Sequence, residues 1–454
     1  MTTQRGSAGV VPMIAHLVRT WWLPAFCLAS LSLFALRAVM LAIDVRHSGA
    51  FALSDFNLFY FAFDTVTHHA SDIGRLYDRA YLFGRLHELG VGIPQTVFSF
   101  YGYPPQYAVL LSPLALLPLQ VAKSVWLCAT FTMMVSTLWM LTVLFIDKAS
   151  NQRLRFFAFA LALTGVNMPF LTDVYWGQSD SLIVFLVTLT CFFKYGLKRS
   201  FLAGVPIGLA IVFKMTPAVV VLFFLIRKDW RLCIGAGLTS LACTLVTAMV
   251  TGWAVLIHYL RVDLSALTKL AYASGPAPWN SSFRGALELV LAQVAIKVPD
   301  GLLSTASLVH TVVILAIVIS LTWKKPENRH CDIALASLLP LVTSPVVEMH
   351  HALLALIALL AASAVAWIRW GEASARPGGI SLQQVRDILV ELLPVAVAVV
   401  IFTAHPRSVS YYVAMLATFV AVVLITRAPS PRGAAERVGL NSAAIANDEA
   451  AQSA

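Results

Sequence analysis

Apolar residues in this chain come in long blocks separated by short charged connectors. The blocks cover residues 21–43, 121–146, 181–193, 232–257, 303–323 and 352–368. A helix needs about 20 mostly apolar residues to cross the hydrocarbon core of a bilayer, and most of the blocks reach that length. Hydrocarbon offers the backbone no water to bond, so each block predicts a helix. Transmembrane strands would instead alternate with period two over about ten residues, and no such pattern occurs here. The sequence therefore predicts an all-α, polytopic helix bundle that crosses a membrane roughly ten to twelve times.

Two apolar segments do not read as simple spans. Residues 107–119 are too short to cross and contain Pro113 and Pro118; they predict an interfacial or re-entrant helix. Residues 201–226 are broken by Lys214 and Pro217 and predict two short helices meeting at Lys214. Broken helices at membrane depth are tolerated where they line a cavity inside the protein. Block 21–43 has no small-residue cleavage site and predicts an uncleaved first span rather than a signal peptide. The bundle is expected over residues 1–426, and the Ala-, Ser- and Pro-rich stretch 427–454 predicts a disordered cytoplasmic tail.

Composition supports lipid as the solvent: 59% of residues are hydrophobic and 12% charged, against about a quarter charged in soluble domains. The net charge of +10 does not point to nucleic acid, because the basic residues sit in connectors. They cluster at Arg5/Arg19, Lys148/Arg153/Arg155, Lys194/Lys198/Arg199, Arg227/Lys228/Arg231, Lys324/Lys325/Arg329 and Arg427/Arg432. Placing them all in the cytoplasm satisfies the positive-inside rule and makes both termini cytoplasmic. The long connectors 44–104 and 258–301 then face outside, with shorter turns near 176–180, 345–351 and 405–407. The six cysteines have no CxxC spacing, so neither a zinc site nor a disulfide framework is indicated.

Ionisable groups kept near a membrane are functional candidates. Asp55, just after the first span and followed by aromatic residues, is placed to act as a general base; its bland alternative is a helix cap. Tyr103 belongs to the aromatic, proline-rich stretch 98–105. Gln178 lies in the outer turn Trp176-Gly177-Gln178-Ser179-Asp180, where an amide and hydroxyls suit sugar or phosphate. Lys214 is costly at mid-segment unless it snorkels or meets an anion. Asn280 and Arg284 lie in the second long outer loop. Glu348, His350 and His351 crowd one span end. Adjacent histidines on a helix point about 100° apart and make a poor metal pair by themselves.

Taken in order, these motifs resemble glycosyltransferase family 87 of the GT-C membrane group. The resemblance runs from Asp55 to His351. Its pieces are Asp55-Phe56 with Phe59-Tyr60, Leu76-Tyr77-Asp78, Tyr103-Pro104-Pro105 with 114–118, Gly177-Gln178, Gly204 to Lys214 and Pro217, Asn280-Ser281-Ser282-Phe283 with Gly285, and Ser344-Pro345 with His350-His351. It implies a GT-C fold with a catalytic cavity at the outer face, and a polyprenyl-phosphate sugar donor, most often mannose, with a lipid-linked or glycan acceptor. The family's acidic residue of the first outer loop falls on Asp55. A departure is Ser179, where the family often has Asn, in a position that bears on the choice of sugar.

Residues and resemblance together predict an inverting hexosyltransferase in the plasma membrane. Asp55 would be the catalytic base, and Lys214, His350, His351 and Arg284 would hold the donor phosphate. Tyr103, Gln178, Asn280 and Glu348 would bind substrate. No cofactor is expected, and a divalent metal is left open. The rival readings are a secondary transporter or lipid-linked sugar flippase, since broken helices around a polar cavity also serve transport, and a non-catalytic assembly subunit that keeps the fold. Convergence of Asp55, Lys214 and the histidines on one cavity would favour the enzyme.

Overall fold

The apolar blocks fold as helices, and the computed structural model describes residues 10–47, 53–91, 100–147, 150–270, 277–374, 381–404 and 408–427. Among these residues there is no strand, and nineteen α-helices follow one another. The first group is α1 (Val10–His47), α2 (Ser54–His68), α3 (Arg79–Glu88), α4 (Pro105–Leu111), α5 (Leu119–Phe145), α6 (Ser150–Gly165) and α7 (Met168–Trp176). Next come α8 (Asp180–Cys191), α9 (Ser200–Phe213), α10 (Ala218–Ile226), α11 (Trp230–Thr251), α12 (Trp253–His258) and α13 (Leu264–Leu270). The last are α14 (Phe283–Gln293), α15 (Asp300–Thr322), α16 (Arg329–Thr343), α17 (Ala355–Ser374), α18 (Leu382–Thr403) and α19 (Ser408–Arg427). Arg5, Lys148, Phe98 and Ser99, the 405–407 turn and the tail expected beyond Arg427 lie outside the described residues.

Among the described residues, six stretches are long and apolar enough to cross a bilayer: Pro24–Ile43, Leu119–Phe145, Trp230–Thr251, Asp300–Thr322, His350–Glu372 and Val409–Thr426. The pair α6–α7, bent by 61°, makes a seventh if taken as one span. The chain is thus a multi-pass membrane protein. The remaining transits expected from the sequence fall on helices that are short or charged. α8 has 12 residues, α9 14 and α16 15, and α18 carries Arg386, Asp387 and Glu391.

Both anomalous segments are broken as their prolines require. α4 stops after seven residues and continues as a 3-10 turn, Ser112–Leu116. α9 ends at Phe213, Lys214 is extended (φ −151°, ψ 123°), and Pro217 starts α10. α9 is seated by small residues against α11. A Cβ on Gly204 would lie 2.4 Å from the Leu232 carbonyl oxygen, and one on Gly208 2.6 Å from that of Ala236. This is the small-xxx-small spacing that lets membrane helices touch through their backbones, and it fixes the height at which α9 releases Lys214.

The helices sort the chain's polar residues to two ends. α8, α9, α10 and α16 each have one end among residues 178–180, 214–217 or 344–351. Their other ends lie in the basic connectors, where Lys194 bonds Asp229 (2.6 Å) and Glu327 (3.0 Å) and Arg227 pairs with Asp332 (3.1 Å).

Candidate active site

The site begins at the turn between α7 and α8. Gly177 ends α7 in the left-handed region (φ +69°), and a Cβ there would lie 2.8 Å from Leu53 Cδ2 and 2.9 Å from Phe56 Cβ. Only glycine meets both demands. The close approach lets the Leu53 N–H donate to the Tyr175 carbonyl (3.0 Å), so the start of α2 docks on the turn. Asp55 therefore meets Gln178, whose Nε2 donates to Asp55 Oδ2. Gln178 Oε1 accepts from the Tyr103 hydroxyl (2.9 Å), which also accepts from Ser179 Oγ (3.0 Å). Three segments distant in sequence are tied here through their side chains.

Next to this group, Lys214 Nζ donates to both oxygens of Asp180, each at 3.0 Å, and lies 5.7 Å from the centre of the Tyr103 ring. Asp180 is 2% exposed. It opens α8, whose first backbone N–H groups, those of Asp180 and Ser181, donate to the buried Asp173 carboxylate (2.9 and 3.3 Å). The lysine thus has an anion partner, as its depth requires, and that partner is a residue of this chain.

The third component is the segment leading into the 3-10 turn His350–Leu354. His350 Nε2 lies 3.7 Å from Asp180 Oδ2 and 3.8 Å from Glu348 Oε2. The backbone N–H of Glu348 donates to His351 Nδ1 (3.0 Å). A backbone N–H can only donate, so Nδ1 of His351 is the acceptor nitrogen and Nε2 carries the ring proton. Asp180, Thr216, Ser344, Val347 and His351 share a small cavity.

Asp55 and Glu348 both keep part of their surface open, 44% of the side chain for Glu348, while lying deep among protein atoms. Desolvation raises Asp55 to about 6, against the opposing hydrogen bonds from Gln178 and Ser54. Glu348 is raised to about 7, first by desolvation and then by the Asp55 carboxylate.

The structure therefore brings Asp55, Tyr103, Gln178, Lys214, Glu348, His350 and His351 into one cluster. Two residues expected there have other tasks. Arg284, expected at the donor phosphate, sits on α14 engaged by Glu288 (2.7 Å), Ser304 (3.1 Å) and Asp300 (3.2 Å). Asn280, expected to touch substrate, is 1% exposed. Its Oδ1 accepts from the Ser282 and Val347 N–H groups, and its Nδ2 donates to the Pro345 carbonyl. It is a strut that holds the histidine segment against the second long loop.

Asp180 and Asp173 are the residues that sequence reasoning missed. Asp180 lies in the outer turn of residues 176–180, and a mid-segment Lys214 needs an anion, but nothing in sequence spacing pairs residues 34 apart across two helices. Asp180, His350 and His351 have nitrogen or oxygen atoms within 4.8 Å of one another. They do not fit a metal ion: Asp180 is bonded by the lysine through both oxygens, and His351 has one nitrogen accepting and the other protonated.

The sequence model of glycosyltransferase family 87 matches residues 100–345, more than half of the chain. The chain is similar to a polyprenol-phosphate-mannose-dependent alpha-(1-2)-phosphatidylinositol pentamannoside mannosyltransferase of Mycolicibacterium smegmatis, 26% identical over 254 residues. That match covers 55% of this chain and 57% of that protein. It is also 26% identical over 320 residues to a polyprenol-phosphate-mannose-dependent alpha-(1-2)-phosphatidylinositol mannoside mannosyltransferase of Mycobacterium tuberculosis, covering 67% and 70%. No solved structure matches. Asp55 and residues 348–351 lie outside the family match, and the fold carries them onto Gln178, Asp180 and Lys214 inside it.

Proposed function

Because the chain belongs to glycosyltransferase family 87, we propose that it moves mannose from a polyprenyl-phosphate donor to a lipid-linked acceptor at the extracytoplasmic face. The donor and acceptor classes are those in the names of the mycobacterial relatives. The observation that carries the reading is the convergence of Asp55, Lys214 and the 350/351 histidines in one cluster at one end of the bundle, beside a small cavity lined by Asp180 and His351. A lipid donor needs such a site between helices, where the polyprenyl tail can remain in hydrocarbon.

In the proposed step, an acceptor hydroxyl lies against Asp55 and the donor phosphate against Lys214 and His351. Asp55 takes the hydroxyl proton as the oxygen attacks the anomeric carbon of the sugar. The bond from that carbon to the phosphate oxygen breaks, and its electron pair leaves with the polyprenyl phosphate. The configuration inverts in this single displacement. An ammonium has three N–H groups, of which Asp180 takes two, so Lys214 keeps one for a phosphate oxygen. The His351 ring, held by the Val346 and Glu348 backbone, lines the cavity beside Asp180. Fixed donors aimed at developing charge are the largest ordinary source of rate enhancement. Gln178 orients Asp55, and the raised ionisation point of Asp55 makes it a stronger base than an exposed carboxylate.

The test is transfer by the purified full chain, given a panel of polyprenyl-phosphate sugars and a phosphatidylinositol mannoside acceptor. The expected result is a mannosylated product that forms from polyprenyl-phosphate mannose and not from a nucleotide sugar. Absence of transfer from every lipid donor, with movement of lipid-linked sugar across vesicles instead, would establish the carrier reading.

A further inference from the structure

For an anion site, the phosphate end of the cluster is rich in acid. The carboxyl groups of Asp173, Asp180 and Glu348 lie around one ammonium, that of Lys214, and Asp55 adjoins Glu348. Arg284, the other cation that the sequence points to, is engaged by Glu288 and Asp300. Of the four acids, Asp180 bonds the ammonium directly, through both oxygens. It is almost fully buried, and the Asp173 carboxylate pins its backbone. Asp180 therefore has little freedom to swing away when a ligand arrives.

We infer that Asp180 is a positioning residue that sets the charge of the anion subsite, so that it accepts a singly charged phosphodiester and disfavours a doubly charged phosphomonoester. The inference rests on the transferase reading, in which the donor is a diester and the spent lipid a monoester. A diester carries one negative charge, whereas a monoester carries about −1.5 to −2 near neutral pH. The one remaining N–H of Lys214 matches one anionic oxygen. A second ligand charge must approach the Asp180 carboxylate, where the surrounding protein screens repulsion poorly. The contact that holds Lys214 in place thus also limits how tightly the spent lipid is retained. Release of product limits turnover in many enzymes, so the arrangement favours repeated cycles.

The inference is tested by binding to the full chain in lipid nanodiscs without acceptor. Three ligands of equal chain length are compared: polyprenyl-phosphate mannose, the methyl diester of polyprenyl phosphate, and polyprenyl phosphate itself. The parental chain is expected to bind both diesters at least about tenfold more tightly than the monoester. Asp180→Asn keeps the size of the side chain and removes its charge, and should erase or reverse that preference, while Asp180→Glu restores it. A merely structural role would weaken all three ligands together and leave their ratio alone. Equal binding of methyl diester and monoester by the parental chain overturns the inference even if Asp180→Asn fails to fold. An unchanged ratio in a folded Asp180→Asn overturns it as well. A parental chain that binds none of the three lipids overturns the transferase reading and the inference with it.

Discussion

Asp55 is held where its negative charge is costly, and that has opposite consequences for rate and for stability. As a base it must be ionised, so with its ionisation point near 6 transfer should fall about tenfold per pH unit below that point and level off above it. Asp55→Asn should abolish this acid limb in whatever activity remains. For stability, an unfolded Asp ionises near 4. Asp55 is neutral in both states at lower pH, and its contribution turns unfavourable as the pH rises towards 6. Asp55→Asn should therefore keep or raise the thermal midpoint at pH 7.5; a fall in that midpoint would contradict the burial argument. Lys214→Met should weaken donor binding and, by stranding the buried Asp180 carboxylate, also lower the thermal midpoint. Asp55, Lys214 and the histidines were legible in the sequence because ionisable groups are conspicuous in an apolar chain. Asp180 was not, because a carboxylate in a polar turn looks like any other until a helix break puts Lys214 opposite it. Arg284 and Asn280 mislead for the matching reason: composition shows that a residue can bond, not which partner takes it.

At the scale of elements, the site depends on two glycine contacts that carry no chemistry. Gly177 lets α2 dock on the α7–α8 turn, and Gly204 and Gly208 let α9 touch α11. Gly177→Ala introduces a Cβ at an unfavourable φ and against Leu53 and Phe56, a strain of about 1–3 kcal/mol. It should lower the thermal midpoint in detergent and reduce turnover more than donor binding, because Gln178 is displaced from Asp55 while Lys214 is anchored elsewhere. An unchanged midpoint would show that the turn has slack. The long spans and both breaks were readable from apolar length and proline, which act locally. The number of transits was harder to read, since short helices such as α8, α9 and α16 owe their place to packing against neighbours rather than to their own apolar length.

For the molecule as a whole, the partition of charge gives two unlike ends. The basic connectors close one end through buried pairs, with Arg227 5% and Asp332 3% exposed at the side chain. Removing one partner of such a pair strands a buried charge, so Asp332→Ala should destabilise the fold by about 3–5 kcal/mol while the surviving molecules bind donor normally. The other end holds the cluster, consistent with the proposed orientation. A cysteine introduced at Ser150 should be labelled in intact cells only by a membrane-permeant reagent. The central claim is that the carboxylate of Asp55, in that cluster, takes the acceptor's proton. It is tested most directly by single-turnover transfer from polyprenyl-phosphate mannose in Asp55→Asn, which keeps size and hydrogen bonding without basicity. The expected rate is lower by about 10² to 10⁴ with donor binding retained; transfer at the parental rate would rule Asp55 out as the base.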